Sequence, residues 1–170
     1  MEKPDWDDLA LPLQARRNRE VFARYGLAMH NAQCLEKQLA LMLALSAPTF
    51  FTQSPKERDL LFDKALTEPF GKIWNKLRTV VPFDSDLVNQ ISKAKTVRNY
   101  LAHNYFWEHA ADLLSEAGQE KLIAELTTAA DQFKNLDDRL TKIIDAYSRQ
   151  IGITEEVITL EIEKLKNGSV

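Results

Sequence analysis

An arginine occupies a position where the pattern of this chain asks for an apolar side chain. Between about Asp86 and His109 the stripe Leu87, Ile91, Ala94, Arg98, Leu101, Tyr105 recurs at helical spacing, and Arg98 interrupts it. A guanidinium there must be paired, must reach solvent along its stem, or must line a cleft. Asn99 and His103 lie one turn apart on the adjacent face, with Phe106 close by. Arg98 and His103 are separated by five positions, so on one regular helix they point about 140° apart, at about 100° per residue. They converge poorly within one chain. They converge well if the same helix of a second subunit packs across a two-fold axis, giving a composite cleft with two arginines and two histidines.

That pair of side chains suits phosphodiester chemistry. Histidine can take the proton of a ribose 2′-hydroxyl or supply one to the leaving oxygen. Arginine presents a fixed fork of donors to phosphate oxygens and stabilises the charge that grows on them. RNA carries its own nucleophile, so the reaction needs no metal and no cofactor. Lys93 and Lys95, about one turn before Arg98, add local positive charge to a chain whose net charge is -3.

The string Arg98-Asn99-Tyr100-Leu101-Ala102-His103 resembles the R-x4-6-H motif of the HEPN ribonuclease superfamily. With Tyr105 it is similar to the R-x4-H-x-Y form found in HEPN toxins that are paired with a nucleotidyltransferase antitoxin. The resemblance covers about ten residues and the helical pattern around them. It implies a HEPN-like bundle and a homodimer with metal-independent endoribonuclease activity. Arg98 and His103 would be catalytic, with Asn99, Tyr105 and Lys95 as substrate-binding or supporting residues. It also implies a role in toxin–antitoxin, phage-defence or RNA-processing systems, and an antitoxin partner able to nucleotidylate Tyr105. The chain departs from the family pattern in a proline-bounded region between about Pro48 and Pro69 and in a final helix after Gly152.

Plainer readings stand beside these. Arg98 could cap a buried acid, and Glu36, seven residues after Met29 near the apolar face of the first long helix, is a plausible partner. Tyr105 continues the apolar stripe, which makes it a packing residue by default. Tyr100, Tyr105, Phe106 and Trp107 could stack bases, or form core and dimer-interface packing. The basic run Arg16, Arg17, Arg19 is either a contact for RNA or a partner, or a solvated face. His30 and His109 lack partners at metal-ligand spacing and read as incidental. The rival function class is a non-catalytic helical module that dimerises or docks a partner on a degenerate HEPN scaffold.

The elements that must position the motif are all helical. Residues 1–15, with Pro4 and Pro12, read as an irregular arm, and 16–170 as a single bundle domain. From about Arg16 to Ala47 the residues Phe22, Tyr25, Met29, Ala32, Leu39 and Met42 mark one long amphipathic helix, closed by Pro48. Ser54-Pro55-Lys56-Glu57 is a capping box with proline in the first turn and starts a short helix to about Leu66. Pro69 opens another, carrying Phe70, Ile73, Trp74 and Leu77, which Pro82 closes, and Asp84 or Ser85 caps the motif helix. After Gly118 a heptad-like seam runs Leu122, Leu126, Ala129, Phe133, Leu136, Leu140, Ile143, Tyr147. Gly152 ends it, and Thr154, Glu155 and Glu156 start a last helix to about Lys166. The expected architecture is an all-α, up-and-down bundle of four to six helices.

Bulk properties agree. Only 5 Gly and 6 Pro in 170 residues leave little turn chemistry for a strand architecture. The one cysteine, Cys34, reads as a small core residue in a reducing compartment, which points to the cytoplasm. The acidic N-terminus lacks the order of a signal peptide. The most apolar run, Leu39–Ala47, is about half of the roughly 20 residues that cross a bilayer.

Overall fold

A computed structural model describes residues 12–50, 52–150, 159 and 163, and all its regular structure is helical, with no strand among the described residues. Among the described residues up to 150, six α-helices follow in order: α1 Leu13–Leu45, α2 Pro55–Leu66, α3 Phe70–Val80, α4 Ser85–His103, α5 Tyr105–Glu108 and α6 Glu116–Gln150, with a 3₁₀ turn at Asp112–Leu114. The chain divides into two compact units, Met1–Asp137 and Asp138–Val170. The motif and the contacts described for it below belong to the first.

The caps form where the residues call for them. The Ser54 hydroxyl and the Glu57 backbone N–H and carboxylate close the capping box of α2. Asp84 accepts from the Leu87 N–H at 2.8 Å and starts α4. Helix α1 begins at Leu13, earlier than the arm assigned to residues 1–15 allows, because Pro12 pre-sets the backbone for a helix start and its carbonyl takes the Arg16 N–H. Residues 1–11 of that arm lie outside the described residues, as does nearly all of the helix expected after Gly152.

In α1 the buried positions Val21, Ala28, Ala32, Leu35, Leu39 and Met42 form a heptad stripe, joined near the helix end by Ala40, Ala44 and Leu45. Phe22, expected on that stripe, sits at its edge and is 53% exposed. Cys34 is half-buried beside His30 rather than in the core. Polar pairings give the directions of the long helices. Arg17 with Glu116, Asn18 with Gln119 and Asn31 with the Ala130 carbonyl advance together, so α1 and the first part of α6 run parallel. Tyr25 with Leu101 and Glu36 with Arg98 run in opposite order, so α4 is antiparallel to α1. Helices α2 and α3 also pack on α1, and Trp74 of α3 donates to Ser92 Oγ of α4 at 3.2 Å.

On α6 the expected seam is buried from Leu122 through Leu126, Ala129, Phe133 and Leu136 to Leu140; the next buried position is Ile144, with Ile143 and Tyr147 exposed. A straight helix drifts against a seven-residue repeat, and here the four-residue step wins.

Candidate active site on the fourth helix

The stripe of α4 is buried as its period requires: Leu87, Ile91, Ala94 and Leu101 are each no more than 5% exposed. Arg98 fills the intervening position. Its Nη2 donates to Glu36 Oε2 of α1 at 3.3 Å, with side-chain exposures of 27% and 14%, and its Nη1 to Asn99 Oδ1 at 3.3 Å. The sequence-based pairing with Glu36 is therefore present. The Nε atom is buried and makes no hydrogen bond. Both contacts are long for charge-assisted bonds, and part of the guanidinium faces solvent.

His103 ends α4 and is exposed, with no hydrogen bond or ion pair to any described residue. Asn99 is exposed beside it. Lys95 is half-buried, and its stem runs along α3, with Cδ 3.7 Å from the point where a Cβ on Gly71 would lie. Lys93 is exposed. Because α4 is regular from Arg98 to His103, the two side chains diverge around its axis as the spacing predicts.

The helix does not continue to His109. It breaks at Asn104, where φ is -123° and ψ -26°, and the short α5 follows. A tertiary contact accompanies the break. The Tyr25 hydroxyl donates to the Leu101 carbonyl at 3.1 Å, the acceptor that the Tyr105 N–H uses in an unbroken helix. Phe106 then packs on Phe22 and Tyr25, with centroids 5.2 and 4.7 Å away. Trp107, read as a base-stacking, core or dimer-interface residue, is 88% exposed and is not part of the core.

Tyr105 is 3% exposed. Its hydroxyl donates to Glu125 Oε2 at 3.3 Å and to the Leu122 carbonyl at 3.5 Å. Burial, then the Glu125 carboxylate, pushes the phenol above its ordinary range. Nucleotidylation of this oxygen, as the family resemblance implies, would require α5 to lift from α6.

The turn at Asn104 assembles a polar cluster that the spacing of residues did not reveal. His109 Nδ1 meets Asp112 Oδ2 at 2.7 Å, and Nε2 meets the Tyr100 hydroxyl at 3.1 Å and Glu125 Oε2 at 3.8 Å. The carboxylate can only accept, so the ring proton it binds is on Nδ1, leaving Nε2 toward the phenol. The one Tyr100 hydroxyl proton is shared between His109 Nε2 and Glu108 Oε2, which also lies 3.1 Å away, and Lys121 binds Asp112 at 3.1 Å. Burial and then Glu108 raise the Tyr100 phenol; the bonds from His109 and Lys121 hold the Asp112 carboxyl below the usual carboxylate range. His109, read as incidental, is thus the hub of four elements. The His109–Asp112 spacing of three was its one local signal. Arg17, part of the basic run, is engaged by Glu116 and Glu120 of α6. Among the described residues no group of three or more His, Cys, Asp and Glu is arranged to hold a metal ion, and no helix is long and apolar enough to cross a membrane.

Comparison with known proteins returns no matching family, curated protein or solved structure. The reading of the site rests on its own chemistry.

Proposed function

We propose that this chain is a HEPN-type, metal-independent endoribonuclease that acts as a homodimer with a composite Arg98/His103 site. The observation that carries the proposal is the state of these two side chains. An imidazole with no partner among the described residues stands exposed at the end of a helix that also holds a partly exposed guanidinium on long bonds, its Nε buried and without a hydrogen bond. Pairing a second copy across a two-fold axis would bring one chain's arginine toward the other's histidine. The arginine would then bind the phosphate and the histidine would move the 2′-hydroxyl proton. A toxin or defence role, with a nucleotidyltransferase-type antitoxin, follows from the motif resemblance. Cleavage of RNA by the purified protein in EDTA, lost in both Arg98→Ala and His103→Ala, is the expected result; equal cleavage by both variants and wild type ends the proposal.

One observation favours the rival reading of a non-catalytic interaction module: the Arg98–Glu36 ion pair joins α4 to α1 as a structural tie. That reading expects no cleavage and a lowered melting temperature when Arg98 is truncated. Retained stability with lost cleavage discards it.

A further inference from the structure

A phosphodiester transfer moves two protons, one off the attacking 2′-oxygen and one onto the leaving 5′-oxygen, and the composite cleft brings to it one His103 from each chain, each beside its own Tyr100. Tyr100 stands three positions before His103 on the regular part of α4. Residues so spaced share a face, with Cβ atoms about 5–6 Å apart, close enough to flank a single phosphate. The Tyr100 hydroxyl is backed by His109 Nε2 at 3.1 Å, and His109 by Asp112 at 2.7 Å. This is a proton-bearing hydroxyl, an imidazole in hydrogen-bond reach that can resupply its proton, and a carboxylate that orients the imidazole, assembled from three elements.

We infer that Tyr100 is the general acid of the site, with His109 and Asp112 as its positioning residues, an inference that rests on the ribonuclease reading above. The 2′-oxygen forms a bond to phosphorus as its proton passes to His103. The bond from phosphorus to the 5′-oxygen breaks, and that oxygen takes the proton of the Tyr100 hydroxyl. The products are a 2′,3′-cyclic phosphate and a free 5′-hydroxyl. Solvent then returns a proton to the phenolate through His109 Nε2 and removes the one on His103, leaving the protein unchanged. The other ionisable groups around the relay are Glu108 on α5, Lys121 and Glu125 on α6, and the buried Tyr105. Burial and the Glu108 carboxylate keep the Tyr100 phenol protonated, the state in which it can donate.

The test compares an RNA oligonucleotide with the same oligonucleotide carrying a 5′-bridging sulfur at the position the wild type cuts. A thiolate leaves without a proton, so loss of a general acid is silent on the second substrate. Tyr100→Phe is expected to lower kcat on ordinary RNA by about 100-fold or more with KM little changed, and to cut the sulfur substrate near the wild-type rate. Asp112→Asn is expected to follow the same pattern with a smaller loss, whereas His103→Ala stays slow on both. Equal impairment of Tyr100→Phe on the two substrates, or wild-type cutting of ordinary RNA, overturns the inference while the ribonuclease reading survives. A wild-type protein that leaves RNA intact overturns both.

Discussion

At the scale of single residues, the site combines one anomaly that the sequence displays and one that it conceals. Arg98 betrays itself by breaking an apolar period, and its contact with Glu36 was foreseeable because that acid lies near the matching face of α1. His109 shows nothing comparable. Its partners Tyr100, Asp112 and Glu125 come from α4, the 3₁₀ turn and α6, and no periodicity joins them. Replacing Glu36 by Gln leaves a half-buried guanidinium with a neutral partner, which costs about 1 kcal/mol for a pair of this exposure. The expected outcome is a lower urea midpoint with an unchanged slope; an unchanged midpoint would mean that the tie holds nothing.

At the scale of elements, the starts with side-chain caps were legible, whereas those of α1 and α6 came a few residues earlier than expected and one end was not legible. Ser54 with Glu57, and Asp84, cap helices through local hydrogen bonds, so short-range spelling suffices. The break at Asn104 is met by a contact from Tyr25, distant in sequence. Two glycines illustrate how differently the elements constrain their residues. Gly118, near the start of α6, lies under the 3₁₀ turn, and a Cβ there would stand 2.2 Å from the Asp112 carbonyl oxygen and 2.6 Å from its Cα. Backbone cannot give way as a flexible side chain can. Gly118→Ala is therefore expected to destabilise by about 1–3 kcal/mol and to disturb the Asp112 contact with His109. Gly26, mid-way along α1, has nothing within 4 Å of a Cβ, so Gly26→Ala is expected to stabilise by about 1 kcal/mol through helix propensity alone. Thermal melts of the pair check both signs; a loss at Gly26 would show that its backbone is needed by something beyond this chain.

At the scale of the whole molecule, the all-helical class was readable because helix periods survive averaging over long segments, whereas the α1 stripe and the α6 seam shifted by a residue where tertiary packing chose the face. Global stability also carries a pH signature. Tyr105 is held protonated by burial and by Glu125, so its folded value exceeds the unfolded value of about 10. That contribution is complete below pH of about 10 and is lost as pH rises beyond it, because the unfolded chain releases its proton first. A falling urea midpoint between pH 9 and 11, flattened in Tyr105→Phe, is the expected pattern; parallel curves for the two proteins would remove Tyr105 from the account. The tie from the Tyr25 hydroxyl to the Leu101 carbonyl has a wider consequence. One phenolic oxygen sits on the last carbonyl turn of the motif helix, where the chain leaves toward Tyr105 and Asp112, and the Tyr25 ring beneath it carries Phe106. Selection on a residue of α1 can thus re-aim the neighbourhood of His103 without altering any letter of the motif.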